Sequence, residues 1–125
     1  MARILVVDDS PTEMYRFKEI LIKQGYEVLE ANNGADGVTL ALAEQPDLIL
    51  MDLVMPGVNG FQATRHIARD ATTQHIPIVI VSSKGQDTDR EWGIRQGASE
   101  YLTKPIDEEA LLEIIATYLA DRAQA

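Results

Sequence analysis

The chain has 125 residues, 46% of them apolar and 25% charged, which suits a single globular domain with a substantial core. Twenty acidic residues against eleven basic ones give a net charge of −9, which argues against direct binding to nucleic acid or to an anionic membrane, because both require a basic face. The absence of cysteine excludes disulfides and thiolate metal sites, and no apolar run is long enough to span a bilayer. Because strand-like sequence begins directly after Met1-Ala2, we expect no signal peptide and a cytoplasmic protein.

Five short apolar runs bounded by turn-forming residues predict buried strands. They span Arg3–Asp8, Tyr26–Ala31, Asp47–Asp52, Ile76–Val81 and Ser99–Thr103. The segments between and after them predict five helices: from Ser10 to before Gly25, from about Asn33-Gly34 to before Pro46, Phe61–Asp70, Asp87–Gln96, and from Asp107 onward. Strands that are apolar throughout and alternate with helices predict a parallel sheet covered on both faces. We therefore expect one α/β domain over residues 1–125, with no second domain.

The first helix has a clear predicted start. Ser10 and Glu13 have the spacing of a capping box, and Pro11 stands at the first helical position. The second helix is expected to bury its apolar side chains Val38, Ala41 and Leu42. In the last helix we expect five packed residues, Leu111, Leu112, Ile115, Tyr118 and Leu119, and then a tail over Ala120–Ala125 that frays.

Charged side chains stand at the ends of three predicted strands. Asp8 and Asp9 end the first, Asp52 ends the third, and Lys104 follows the fifth. In an open parallel sheet the carboxyl ends of the strands share the edge at which ligands bind. Three carboxylates at one place repel one another unless a cation lies among them, and carboxylate oxygens suit a hard divalent metal. The sequence therefore predicts a Mg²⁺ site at this edge.

With Ser82 after the fourth strand and Pro105 after Lys104, these motifs resemble those of response-regulator receiver domains, and the resemblance covers essentially the whole chain. It implies a flavodoxin-like, doubly wound (βα)5 fold with a five-stranded parallel sheet in the order 2-1-3-4-5. It also implies a stand-alone receiver of two-component signalling without an output domain. Such a protein is a phosphorylation-driven switch that catalyses only its own phosphorylation and dephosphorylation.

Three local stretches, Asp9–Tyr15, Gly60–Arg65 and Trp92–Ala98, narrow the resemblance. They are similar to the single-domain, chemotaxis-type regulators of type IV pilus twitching-motility systems, some of which serve phototaxis. The partners that this implies are a chemotaxis-type histidine kinase and an unknown downstream protein. The protein is then expected to be a monomer, or a weak dimer when phosphorylated.

The resemblance also implies roles for individual residues. Asp52 is the expected phosphoacceptor, and Asp8, Asp9, Asp52 and the backbone carbonyl of Val54 are the expected Mg²⁺ ligands. A carboxylate is a poor nucleophile, but phosphoryl transfer depends mainly on positioning and charge neutralisation.

The phosphoryl group is expected to be stabilised by Lys104, paired with Asp52 before transfer, and by Ser82, which donates a hydrogen bond and moves inward on activation. A cis bond between Lys104 and Pro105 would aim the ammonium inward. Tyr101 is the implied aromatic switch, with a ring that turns inward when Ser82 moves. The implied readout face consists of the fourth helix, the fifth strand and the fifth helix.

Two positions flank the route of an attacking water: Val54, two residues after Asp52, and Lys84, two residues after Ser82. Neither side chain is a carboxylate or an amide that could orient the water, so we expect slow intrinsic dephosphorylation. The small Ser83 should leave Asp52 open to small phosphodonors.

Simpler interpretations remain for several residues. Lys104 could be a solvated loop lysine, Ser83 could be the hydrogen-bond donor in place of Ser82, and Tyr101 could serve packing alone. Trp92, in the fourth helix, is interpreted first as a packing residue and second as an anchor for a partner.

The same residues argue against two other functions, a hydrolase and an electron carrier. A hydrolase of the haloacid dehalogenase type requires an aspartate two residues after the nucleophile, where this chain has Ser10 or Val54. A flavodoxin-like carrier requires a phosphate-binding loop after the first strand, where Asp8 and Asp9 would repel the phosphate. A phosphate-independent docking module or a phosphate sink remains the alternative.

Overall fold

The computed structural model describes the backbone of residues 1–123 and the side chains of residues 1–120. The strands are β1 Arg3–Val7, β2 Glu27–Ala31, β3 Leu48–Met51, β4 Ile78–Ser82 and β5 Glu100–Thr103. The helices are α1 Pro11–Lys23, α2 Gly34–Glu44, α3 Gly60–Arg69, α4 Asp87–Gln96 and α5 Glu108–Ala123. All strand pairs are parallel, and their order is β2-β1-β3-β4-β5. The predicted flavodoxin-like topology is confirmed, with strand ends shifted by one or two residues.

The sheet separates two apolar cores. Alternate residues of a strand point to opposite faces, so Ile4 and Val6 of β1 contribute to one core and Leu5 and Val7 to the other. Side chains of α1 and α5, including Phe17, pack on the first face, while α2 and α3 cover the second. Among the described residues, no helix combines the length and the apolar character that crossing a membrane would require.

The start of α1 differs from the predicted capping box. The Ser10 hydroxyl accepts a hydrogen bond from the Glu13 backbone N–H (3.3 Å), as expected. However, the Ser10 backbone N–H donates to Asp8 Oδ1 (2.9 Å), so Glu13 does not close the box. A complete capping box, which the sequence analysis missed, is formed at α3 by Asn59 and Gln62.

The buried face of α2 also differs in part from the prediction. Ala41 is buried and Val38 packs against the core, but Leu42 is 42% exposed, so its predicted burial is wrong. The reason is that α2 approaches the sheet through Gly37, where a Cβ atom would lie 2.9 Å from a methyl carbon of Val7. Leu42 is rotated by about 100° from Ala41 around the helix and therefore faces away from the sheet.

The end of α5 and the exposure of Trp92 also differ from the predictions. α5 continues to Ala123, so the fraying expected from Ala120 does not begin before that residue, and residues 124–125 lie outside the described part of the chain. In α5, Leu111 and Ile115 are buried, and the other predicted packing residues are partly buried. Trp92 is 50% exposed on α4, which favours its second interpretation, as an anchor, over simple packing.

Candidate metal and phosphoacceptor site

The three predicted acidic residues lie together at the carboxyl edge of the sheet. Carboxylate oxygens of Asp8, Asp9 and Asp52 all lie within 4.8 Å of one another. They converge because β1 and β3 are neighbours in register, with Val7 opposite Met51. Asp8 and Asp52 are buried, whereas Asp9 is exposed. Three hard oxygen donors in this arrangement fit a Mg²⁺ ion, to which each carboxylate could offer one oxygen.

Lys104 follows β5 and reaches the same cluster. Its Nζ donates a hydrogen bond to Asp8 Oδ2 (2.9 Å) and lies 3.6 Å from Asp52 Oδ1. The backbone N–H of Lys104 donates to the Ser82 carbonyl (2.8 Å), and the peptide bond to Pro105 is cis, as expected. The expected pairing with Asp52 is therefore present only as the longer of two contacts, because the hydrogen bond goes to Asp8.

Asp52 has a strongly raised pKa. Burial, followed by the charge of Asp8, raises the pKa of Asp52 from 3.8 to about 6, against the opposing effects of Lys104 and the Leu53 N–H. Burial alone would lower the pKa of Lys104, but its hydrogen bond to Asp8 and the nearby carboxylates outweigh burial and raise it. The ammonium is therefore held in its charged form, while Asp52 titrates close to neutral pH.

Ser82 and Tyr101 both form hydrogen bonds with the backbone of a third residue, Lys84. The buried Ser82 Oγ accepts a hydrogen bond from the Lys84 backbone N–H (3.2 Å), and the Tyr101 hydroxyl donates to the Lys84 carbonyl. The ring of Tyr101 is 2% exposed, and burial raises the pKa of its hydroxyl. A displacement of the β4–α4 loop would thus act on both predicted switch residues.

The remaining predicted site residues lie at the surface around the cluster. Val54, in the loop after β3, is 57% exposed. The side chains of Ser83, Lys84 and Pro105 are also exposed, so Ser82 and not Ser83 is the serine that lies in the interior.

Gly60 is a site residue that sequence reasoning missed, because it was used only as part of the stretch Gly60–Arg65 that carries the resemblance. A Cβ atom on Gly60 would lie 2.0 Å from the backbone oxygen of Asp52. The Gly60 N–H donates to the carbonyl of Leu53 (3.0 Å), so the first residue of α3 packs directly on the backbone of the proposed phosphoacceptor. The available signal was a glycine directly after the strong capping residue Asn59, where no turn requires one.

Comparisons with known proteins agree with this geometry. The response regulator receiver domain family model matches residues 4–116. Protein PilH of Pseudomonas aeruginosa is 62% identical over 120 residues, which cover 96% of this chain and 99% of that protein. A CheY-like receiver domain protein from Methanospirillum hungatei has a TM-score of 0.92 at 26% identity, covering 99% of this chain and 98% of the other.

A third similar protein bears on the metal. It is the receiver domain of a sensor histidine kinase from Pseudomonas aeruginosa, solved with a magnesium ion coordinated in its active-site cleft. Its TM-score is 0.89 at 29% identity, with coverage of 95% of this chain and 98% of that domain. Because the family model spans nearly all of the sequence and the fold and acidic cluster agree with it, the chain belongs to the response regulator receiver domains of two-component signalling.

Proposed function

We propose that this protein is a phospho-accepting response regulator that receives a phosphoryl group on Asp52 from a phosphohistidine of a chemotaxis-type kinase. The observation that carries the proposal is the convergence of Asp8, Asp9 and Asp52 within 4.8 Å, with the Lys104 ammonium beside them. In the transfer, a bond forms between a carboxylate oxygen of Asp52 and phosphorus. The phosphorus–nitrogen bond to the kinase histidine breaks, and the imidazole leaves.

The two oxygens of Asp52 have different surroundings, which suggests the nucleophile. Oδ1 accepts a hydrogen bond from the Leu53 N–H (2.9 Å) and is the oxygen 3.6 Å from Lys104 Nζ. Among the described residues, none donates a hydrogen bond to Oδ2, so we assign Oδ2 as the attacking atom. With a pKa of about 6, the carboxyl is mostly ionised at neutral pH and able to attack.

The acidic cluster would hold Mg²⁺ through Asp8, Asp9, Asp52 and the backbone carbonyl of Val54. When bound, the ion would neutralise charge on the carboxylates and on the phosphoryl oxygens. Asp8 would then need Lys104 less, because the cation compensates its charge. The ammonium could turn from Asp8 to a phosphoryl oxygen, while the buried Ser82 hydroxyl donates to another.

Phosphorylation would change the conformation of the surface formed by α4, β5 and α5, to which a downstream protein would bind. The backbone of Lys84, whose N–H donates to Ser82 and whose carbonyl accepts from Tyr101, gives a route from the phosphoryl group to that face. The similarity to PilH over nearly the whole chain, together with the motif resemblance, supports a role in type IV pilus motility or taxis. We place the protein in the cytoplasm, with its proposed kinase.

We further propose that the aspartyl phosphate is long-lived. Val54 and Lys84 are exposed beside the site, and neither offers a carboxylate or an amide to orient a water. Val54→Asn and Lys84→Glu should therefore shorten the phosphoryl lifetime. A lifetime of seconds in the unaltered protein, without a phosphatase, would contradict this part of the proposal.

Intact-protein mass spectrometry tests the phosphoacceptor. The protein is incubated with phosphoramidate, a small phosphodonor, and Mg²⁺. The unaltered protein and Asp87→Asn, which removes an exposed carboxylate on α4, should each gain one phosphoryl group. Asp52→Asn, or the unaltered protein with EDTA, should gain none. Persistence of the modification in Asp52→Asn, or no modification of the unaltered protein, would contradict the proposal and favour a phosphate-independent docking module.

The motility assignment requires a test in cells. The chain is expressed in a Pseudomonas aeruginosa strain that lacks PilH, and twitching is measured on agar. We expect twitching to move towards that of the parent strain. Asp52→Asn serves as the control for dependence on phosphorylation. No effect of the unaltered chain at matched protein levels would argue against a shared role.

A further inference from the structure

Tyr101 lies in a slot formed largely by α4. β5 is an edge strand of the sheet, yet the tyrosine is only 2% exposed. The guanidinium of Arg90 lies 5.3 Å from the centroid of the ring, and Arg90 Nη1 donates a hydrogen bond to the Tyr101 carbonyl (3.0 Å). The same side chain therefore contacts both the ring and the backbone of this residue.

One helical turn further along α4, Gly93 makes room for the ring. A Cβ atom there would lie 3.3 Å from Tyr101 Cδ2 and 2.8 Å from Ile80 Cδ1. At the far end of the slot, the tyrosine hydroxyl donates to the carbonyl of Lys84. Arg90 therefore covers the face of the ring, the absence of a side chain at Gly93 leaves space for it, and the β4–α4 loop accepts the hydrogen bond of its hydroxyl. None of these contacts involves Asp52.

We infer that Arg90 is a positioning residue that holds the ring of Tyr101 in its buried orientation through its contacts with the ring and with the backbone carbonyl of this residue. The regulatory meaning of the inference rests on the proposed function, in which Tyr101 is the switch. Two parts of the protein would then influence the switch: the phosphoryl site, acting through the backbone of Lys84, and the surface of α4, acting through Arg90.

The chemistry of arginine explains why it suits this position. A guanidinium is planar and carries several donors, so it can stack over an aromatic face while donating to a carbonyl beside it. A lysine ammonium at the same place could make one of these contacts but not both with the same geometry. Arg90 is itself exposed, so its replacement removes the contacts to Tyr101 without deleting a buried apolar side chain.

The test measures the exposure of the Tyr101 ring by NMR. The protein is labelled with ring carbon-13 tyrosine, and Tyr101→Phe assigns the resonance among the four tyrosines. A soluble gadolinium chelate enhances the relaxation of a ring in proportion to the time that it spends in solvent. In Arg90→Met, which keeps an extended apolar stem without charge or donors, we expect about a fivefold increase in this enhancement. Arg90→Lys should lie between Arg90→Met and the unaltered protein.

Arg95→Met is the matched control, because it removes the same charge from the same helix without a contact to Tyr101. It should leave the ring protected. Gly93→Ala adds a methyl group where the ring of Tyr101 lies, so it should also raise the exposure of the ring, although it removes no charge. Urea unfolding of each variant confirms that it is folded at the conditions of the measurement.

Two results would overturn the inference: a ring in Arg90→Met that is as protected as in the unaltered protein, or an equal increase in Arg95→Met. The comparison uses no phosphodonor and no phosphoryl mimic. Failure of Asp52 to accept a phosphoryl group would therefore contradict the proposed function and leave the positioning role of Arg90 standing. Equal protection of the ring in Arg90→Met and in the unaltered protein would contradict the positioning role of Arg90 and leave the proposed function unaffected.

Discussion

The ammonium of Lys104 is hydrogen-bonded to Asp8 at 2.9 Å, although 96 residues separate the two along the chain. The side chain of Asp8 is 1% exposed, so this ion pair is buried on the carboxylate side. Asp52, whose oxygen is 3.6 Å from the same ammonium, has a pKa that burial and the charge of Asp8 raise to about 6. The site therefore contains one paired and one poorly paired carboxylate, and the pairing should change when a cation binds.

Replacing Lys104 should destabilise the metal-free protein. Lys104→Met leaves the buried carboxylate of Asp8 without its cation, and we expect a loss of about 2–3 kcal/mol in the free energy of unfolding by urea with EDTA. Saturating Mg²⁺ should reduce that loss. Lys18→Met is the matched control, because it breaks the exposed pair with Glu30 (3.0 Å) and should cost less than about 1 kcal/mol. Equal losses in the two variants would contradict the importance of the buried pair.

Removing the charge of Asp52 should stabilise the metal-free protein at neutral pH. The folded pKa of about 6 lies above the ordinary 3.8, so between these pH values the folded state binds more protons than the unfolded state. Stability due to this group therefore falls as the pH rises from about 4 to about 6. The shift sets an upper limit of about 3 kcal/mol, and screening by solvent at the open side of the site reduces it to about 1–2 kcal/mol.

Urea unfolding of Asp52→Asn and the unaltered protein across this pH range measures the effect. The variant should be the more stable at pH 7 in EDTA, and the difference should disappear below about pH 4. Saturating Mg²⁺ should reverse the order, because the variant lacks one of the three carboxylate ligands and should bind the ion more weakly. Glu19→Gln, an exposed change on α1, should show no such pH dependence. A variant that is less stable at pH 7 without metal would refute the raised pKa.

Gly60→Ala should be strongly destabilising. The added Cβ would lie 2.0 Å from the backbone oxygen of Asp52, and a backbone atom cannot move aside as a flexible side chain can. We expect a loss of about 2–3 kcal/mol in urea unfolding and weaker Mg²⁺ binding by calorimetry. In Gly85→Ala the closest atom is the Thr103 Cγ2 methyl at 3.0 Å, in an exposed side chain that can rotate. Its loss should be below about 1 kcal/mol, and similar losses at both positions would argue against the close approach at Asp52.

Thr64→Val should stabilise the protein. Within the described part of the chain, the fully buried hydroxyl of Thr64 has no hydrogen-bond partner. Replacing it with an isosteric methyl removes an unsatisfied polar group, which should add about 1 kcal/mol to the free energy of unfolding. Thr73→Val is the matched contrast, because the equally buried Thr73 hydroxyl donates to the Ile67 carbonyl at 2.7 Å. That change should cost about 1–2 kcal/mol, and a loss of the same size at Thr64 would reveal a partner for its hydroxyl.

Chain-local chemistry was sufficient to predict a parallel sheet covered by helices and the charged groups at its carboxyl edge, whereas the strand order 2-1-3-4-5 was implied by the resemblance to receiver domains. Apolar runs of strand length alternate with helical segments, and this pattern alone dictates a parallel sheet. Charged residues at strand ends then had to meet at one edge, because all carboxyl ends of a parallel sheet share it. For this reason the clustering of Asp8, Asp9 and Asp52, and the approach of Lys104, were predictable without coordinates.

Only the tertiary structure decided which particular atoms of distant residues are in contact. The hydrogen bond of Lys104 to Asp8 instead of Asp52 depends on differences of less than an ångström between packed loops. The cover of Tyr101 by Arg90 depends on how closely α4 lies against β5. Pattern and propensity describe each segment by itself, whereas distances across the sheet arise from the packing of all segments together. The sequence by itself determined that the charged groups at the strand ends meet, whereas tertiary packing decided which of their atoms bond and which other residues, such as Arg90 and Tyr101, come into contact.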